Sequence, residues 1–348
     1  MQNKLSNKII NQIKISGPIS IAEFMQLCLL DPQYGYYTNE NPFGSEGDFI
    51  TSPEISQCFG EVIALYCLYY LQDSEGEIQI IELGPGRALL MQDMLRTFQK
   101  FPNFNSKISV HLVEKSPKLR KIQQEKLAGF GFKIHHYSEF NQVPKSLSFI
   151  ISNELLDCIP MQQFEFSKAE WYERKIDYQD NFCFRLAKTP ASLLYPKLFL
   201  ADSSNNDGDV FELSSATITL INEIAEFTQI TKSKALIFDY GYNSYDFKPT
   251  IQAVKSHKYK NIFANLGQQD LTYLVNFSAI QQTLAETNLC NYALYDQGDF
   301  LLSIGLGARI DMCKQNKSEE IKAKLDRSLY RLTSKEEMGS LFKVLELS

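Results

Sequence analysis

The chain has 348 residues, of which 44% are hydrophobic and 22% charged, and its net charge is −6. That balance excludes a long disordered chain and suits a globular protein able to bury a core. The acidity sets aside a dominant nucleic-acid footprint, and no run of ~18 apolar residues suggests a membrane-crossing helix. At about 150 residues per domain, the length fits two domains or one large domain with insertions.

Residues 4–15 and 20–30 read as helices, the second opened by Ser20 and Glu23, an S-x-x-E capping box that satisfies free amides at a helix start. The first residues lack an apolar signal core, and no arginine precedes Arg87, so the expected compartment is the bacterial-type cytoplasm. The seven cysteines (28, 58, 67, 158, 183, 290 and 313) are scattered without C-x-x-C spacing and read as reduced thiols. Residues 31–53 form a long loop rich in Gly, Pro, Asn and Tyr, and a helix from about Glu54 to Leu71 follows it.

The pattern then changes to short apolar runs alternating with helical stretches. Strands are expected at 78–83, 108–113, 133–136, 147–152 and 235–240, with helices at 87–100, 116–128, 215–230 and 278–287. This alternation predicts an α/β fold around a buried, mostly parallel sheet. Residues 161–166 and 170–176 read as a hairpin, and 182–186 and 210–213 as further short strands. Residues 291–304 read as late strands and 316–345 as a helical tail.

The most informative segment is Glu82-Leu83-Gly84-Pro85-Gly86-Arg87-Ala88, where a strand ends in an acid, then Gly-x-Gly, then a helix. Ligands of doubly wound sheets bind at the carboxyl ends of strands, and glycines let the backbone approach them. Glycines alone also suit a βα turn that binds nothing. Glu82 shifts the balance, because a carboxylate at the end of a buried strand is costly unless a charged or polar group meets it. A dinucleotide fingerprint needs a third glycine where Leu89 stands, and the lysine of a phosphate-binding loop is absent. The remaining common partner is S-adenosyl-L-methionine, which offers a sulfonium, an ammonium and a carboxylate.

The later strand ends carry matching polar groups. Glu114 fits a ribose-hydroxyl acceptor or an acid at a helix start. Ser138 and Glu139 follow the third strand, within reach of an adenine amino group. Asn153 and Glu154 follow the fourth, with Asp157 one turn on; Asn153 also suits a helix cap.

Several blocks together resemble the MidA-like family of S-adenosyl-L-methionine-dependent methyltransferases. They are Gly17 to Phe24, Pro32 to Tyr37 (PQYGYY), Gly47 to Gly60 (GDFITSPEISQCFG), Glu82 to Arg87 (ELGPGR), Asn153 to Pro160 (NELLDCIP), Asp239-Tyr240-Gly241 and Arg331 to Leu345. The chain departs from the family pattern at Ala88, at Leu155 and in the block 266–277. The resemblance implies a Rossmann-like class I methyltransferase domain over 76–348, with an insertion around 242–277 and a helical C-terminal tail. A helical cap with a cofactor-covering loop would occupy 1–75. It implies S-adenosyl-L-methionine as cofactor and a protein arginine acceptor, with a link to respiratory complex I assembly. No metal, nucleic acid or membrane span is expected, and the chain would be a monomer or homodimer.

On that resemblance the cofactor-binding candidates are Glu82, Gly84, Pro85, Gly86, Glu114, Ser138, Glu139, Asn153, Phe49, Thr51 and Ser52. A guanidinium substrate is cationic and planar, so carboxylates would orient it. Glu154 is the first candidate for that role, Asp48 and Asp157 the next, and Asp239 a third that suits a structural role equally. Two other readings compete: a cofactor-binding assembly factor or chaperone without catalysis, and a small-molecule methyltransferase.

Overall fold

Ile78–Leu83 is mostly apolar because both faces of its sheet are covered, and all six residues, Gln79 and Glu82 included, are buried. The computed structural model describes residues 3–39, 50–194, 205–244 and 247–348. Its central sheet comprises β1 (Ile78–Leu83), β2 (Ile108–Val113), β3 (Lys133–Tyr137), β4 (Ser148–Asn153), β5 (Lys234–Tyr242), β6 (Tyr292–Asp296) and β7 (Phe342–Leu347). The spatial order is β6-β7-β5-β4-β1-β2-β3, with Val275–Asn276 added beside the end of β5. β1 to β5 pair in parallel, whereas β7 runs antiparallel to both its neighbours. Chain order therefore reverses between β1 and β4, which opens a crevice at their carboxyl ends.

The principal helices are α1 (Lys4–Ser16), α2 (Ile21–Leu30), α3 (Gln57–Leu71), α4 (Leu89–Phe98), α5 (Pro117–Leu127), α6 (Ser215–Thr231), α7 (Phe277–Thr287), α8 (Leu306–Lys314) and α9 (Glu319–Thr333). Strand residues alternate between two covered faces. Ile80, Val110, Ile151 and Phe238 meet α3 and α4 on one side. Ile81, Ile150 and Ile237 meet α6 and α7 on the other. α1 and α2 share a separate core with Met161, Ile176, Ala253, Leu266, Leu271 and Tyr273. Ile19–Ser20 pairs with Ile176 and Lys175 on a second, antiparallel sheet built on the hairpin of Gln162–Ser167 and Glu170–Tyr178. The N-terminal helices and the segment around 251–273 thus pack on one another, while α3 packs on the central sheet.

Three expectations are corrected. The helix from Glu54 is broken: Ser52–Ile55 forms one turn, Ser56 is extended at φ −154°, and its hydroxyl accepts from Cys58 N–H at the start of α3. Residues 291–304 hold only one strand, because Gln297–Ser303 is helical and buries Phe300 and Leu301. The C-terminal tail is not helical throughout. Its last residues form β7, inserted between β5 and β6, with Val344, Leu345 and Leu347 buried. Paired on both edges, they gain ladder bonds and burial that a surface helix could not supply.

Candidate functional site

The turn after β1 depends on two left-handed glycines, Gly84 at φ +64° and Gly86 at φ +51°, followed by Ala88 at φ 55°. This explains why α4 begins at Leu89 rather than at Arg87. A Cβ on Gly84 would stand 2.8 Å from Leu155 Cδ1, so the turn lies directly against the segment that follows β4. Gly84→Ala is therefore expected to destabilise the protein by roughly 1–3 kcal/mol, through backbone strain and a crowded contact. Chemical denaturation would show this as a lower midpoint.

Glu82 is 3% exposed, and its Oε2 has no hydrogen-bond partner within the protein. Burial pushes its carboxyl up to about 8, against the opposing effect of the Met91 N–H, and nearby Glu114 adds to the rise. Glu114 accepts from Ser116 N–H at 2.8 Å, and burial raises its carboxyl as well. Gln123 donates to the Gly86 carbonyl at 2.8 Å and ties α5 to the glycine turn. Arg120 donates to the Glu114 carbonyl and to the Ser138 hydroxyl at 2.8 Å. Glu139 stands apart from this group. Its exposed carboxylate pairs with Lys115 at 3.3 Å, a poor arrangement for holding a buried base. Ser138 is the member of that pair oriented into the network.

The second half of the site lies beyond β4 and β5. Glu154 has φ +53°, a strained value for a non-glycine residue. Its Oε1 accepts from Ser52 N–H at 3.1 Å and from Asn153 Nδ2 at 3.1 Å. The capping box of Thr51 and Glu54 holds the short turn that presents Ser52, and Arg87 pairs with Glu54 to fasten that turn to the glycine loop. Asp239 is fully buried and anchors the next turn. Its Oδ2 accepts from the N–H groups of Leu155, Leu156 and Asp157 at 3.1, 2.7 and 3.3 Å, and its Oδ1 from Tyr240 N–H. With its lone pairs directed to backbone, Asp239 is a positioning group. Tyr240 donates its hydroxyl to Asp157 Oδ2, while Asp157 Oδ1 has no partner within the protein. Tyr37 bonds to Asp270 at 3.1 Å nearby.

Burial, reinforced by Asp157, pushes the Glu154 carboxyl up to about 8; burial pushes Asp157 up to about 6, against the Tyr240 hydrogen bond. An acid whose folded pKa exceeds its unfolded value takes up protons on folding, so stability falls as pH rises through the interval between the two. For Glu82 and Glu154 that interval runs from 4.5 to about 8, and for Asp157 from 3.8 to about 6. The ligand-free protein should therefore unfold at progressively lower temperature between roughly pH 5 and 8. A scanning-calorimetry series that stayed flat or rose there would contradict this.

Asp48 and Phe49 lie outside the described residues. The remaining candidates gather at the carboxyl ends of β1, β2 and β4, apart from Glu139. Five buried oxygens there have no partner among the described residues: Glu82 Oε2, Ser152 Oγ, Asn153 Oδ1, Asp157 Oδ1 and Ser52 Oγ. Unpartnered buried oxygens, two of them from carboxyls, beside the glycine turn suit a cationic, hydrogen-bonding ligand better than a phosphate.

Comparison with known proteins agrees with this chemistry. The family described as "Putative S-adenosyl-L-methionine-dependent methyltransferase" matches residues 62–295. The chain belongs to this methyltransferase family. The protein arginine methyltransferase NDUFAF7, mitochondrial, of Xenopus tropicalis is 31% identical over 98% of this chain and 85% of its own. The Caenorhabditis elegans homolog is 31% identical over 91% of this chain and 81% of its own. A COG1565 superfamily member from Burkholderia thailandensis, crystallised with S-adenosyl-homocysteine, shares the fold, with a TM-score of 0.85 at 22% identity. That match covers 99% of this chain and 91% of the other. The methyltransferase is thus Rossmann-like, with S-adenosyl-L-methionine as its cofactor. The expected cytoplasmic location is overturned, since both relatives are named mitochondrial proteins. The character of the first residues is a weak guide to compartment. Among the described residues no helix is long and apolar enough to cross a membrane.

Sequence reasoning did not single out Tyr240, Tyr37 or Asp270. Tyr240 stands 83 residues from Asp157, and Tyr37 stands 233 from Asp270. The Asp-Tyr-Gly block after β5 was the available signal for Tyr240. Tyr37 and Asp270 lie within the blocks 32–37 and 266–277, but nothing in either block signals that they meet.

Proposed function

We propose that this methyltransferase modifies arginine side chains of a protein acceptor. The observation that carries the reading is a pair of carboxylates set beyond β4 beside the glycine turn: Asp157, buried with Oδ1 unpartnered, and half-buried Glu154, whose Oε1 accepts from Ser52 N–H and Asn153 Nδ2. A guanidinium presents N–H donors to both and brings the positive charge that favours their ionised forms. The relatives named protein arginine methyltransferase support the same acceptor class.

In this reading Glu82, the Gly84-Pro85-Gly86 backbone, Asn153, Thr51 and Ser52 hold the amino-acid end of the cofactor. Glu114 accepts from its ribose, and Ser138 faces its base. When bound, the cofactor supplies an electrophilic methyl group. The protein aligns the acceptor nitrogen with it, excludes water and draws positive charge away from that nitrogen through Glu154 and Asp157. A respiratory complex I subunit is the first acceptor to test, as the family resemblance implies. Incubation with methyl-labelled S-adenosyl-L-methionine and complex I proteins, followed by peptide mass spectrometry, should place label on arginine. Label found only on lysine or on a small molecule would defeat the reading. So would cofactor binding without transfer to any acceptor.

A further inference from the structure

α3 and α8 cross with two cysteines facing each other: Cys58 Sγ lies 3.7 Å from Cys313 Sγ, although the residues are 255 apart in sequence. The helices are clamped one turn away. Arg309 Nε, four residues before Cys313, donates to Glu61 Oε2 at 2.7 Å, and Glu61 follows Cys58 by three residues. Gln57 Nε2 donates to the other oxygen, Glu61 Oε1, at 3.0 Å.

We propose that Cys58 and Cys313 form a reversible intramolecular disulfide, driven by a low-molecular-weight disulfide such as oxidised glutathione. The sulfurs must approach by less than 2 Å to reach a bond of about 2.05 Å, which side-chain rotation and a small helix shift supply. Access sets the order of events. Cys58 is 3% exposed, whereas Cys313 is only partly buried and follows exposed Met312. The Cys313 thiolate attacks one glutathione sulfur and expels the other glutathione as a thiolate. The Cys58 thiol then gives up its proton and attacks Cys313 sulfur. A second glutathione thiolate leaves and, like the first, ends protonated. Two protein thiols are oxidised by two electrons, and one glutathione disulfide is reduced to two thiols. Burial and the facing Cys313 push the Cys58 thiol up to about 12, which agrees with Cys58 acting second and losing its proton only as it attacks the mixed disulfide.

Cys58, Glu61 and Cys313 also place ligand atoms within 4.8 Å of one another, a spacing that could suit a thiophilic metal ion. Both Glu61 oxygens are already engaged and a guanidinium stands beside them, so a dication is disfavoured there. The bridge would fasten the first turn of α3, six residues after Ser52, to the C-terminal helical layer.

The test uses the full chain treated with oxidised glutathione and mapped by non-reducing peptide mass spectrometry. The expected product is a Cys58–Cys313 linked peptide with a raised thermal midpoint, both reversed by dithiothreitol, because cross-linking distant residues restricts the unfolded chain. Cys58→Ser should stop at a glutathione adduct on Cys313. Cys313→Ser, at the more exposed position, should give neither product. A wild-type protein that stops at the adduct, or links these cysteines only in denaturant, overturns the proposal. One equivalent of bound zinc, lost in both serine variants, would overturn it in favour of a metal site.

Discussion

Glu82→Gln is expected to weaken S-adenosyl-L-methionine binding by about 10–100-fold, the range that follows from losing a charged hydrogen bond worth about 1.5–3 kcal/mol. Glutamine keeps the shape and one acceptor but loses the negative charge. The same change should leave the ligand-free protein no less stable at pH 8, because the buried carboxyl it removes, pushed up to about 8, gains nothing from ionising there. Weaker binding without lower stability separates a ligand-binding group from a structural one. Calorimetric titration beside thermal unfolding measures both. If the variant instead unfolds at every pH while the remaining folded protein binds normally, Glu82 is a core residue and not a cofactor group.

The second large effect is expected at Glu154→Gln: a loss of about 10²–10³-fold in kcat, comparable to removing one electrostatic group from a preorganised site. Cofactor affinity should change little. The glutamine carbonyl can still accept from Ser52 N–H and Asn153 Nδ2, so the turn survives while the charge is lost. The pH profile gives an independent readout. With its carboxyl pushed up to about 8 in the unliganded protein, Glu154 should make wild-type kcat/KM climb as pH rises toward 8, and the variant should lose that limb of the profile. Initial rates at limiting acceptor across pH 6–9 would measure it. Wild-type turnover in the variant would transfer the orienting role to Asp157.

The parallel core was legible because each strand carries its own evidence. Ile78–Leu83 and Ile108–Val113 are mostly apolar, have an acid at or just past their carboxyl ends (Glu82, Glu114) and lead into a helix, and the structure has them at the expected bounds. Polar capping was equally local, as at Ser20, whose hydroxyl accepts from Glu23 N–H. The C-terminal strand was not legible. Phe342–Leu347 follows a strongly helical segment, and only its slot between β5 and β6 makes it a strand. The break at Ser56 was missed for the opposite reason, since apolar residues continue on both sides while one hydroxyl cap decides the boundary.

The sequence by itself determined the Glu82-to-Gly86 turn, the alternating strands and helices of the parallel core and the acidic residues after β4. Those features rest on side-chain type and on neighbours a few residues away. The tertiary structure decided what the acids do. Asp239 spends its lone pairs on the 155–157 backbone only because β5 lies beside β4. Tyr240 reaches Asp157, Tyr37 reaches Asp270 and Cys58 meets Cys313 across 83, 233 and 255 residues. Such pairings arise once the sheet order and helix packing are set, so no local pattern encodes them. They separate a carboxylate that holds the fold from one left with an open lone pair for a ligand.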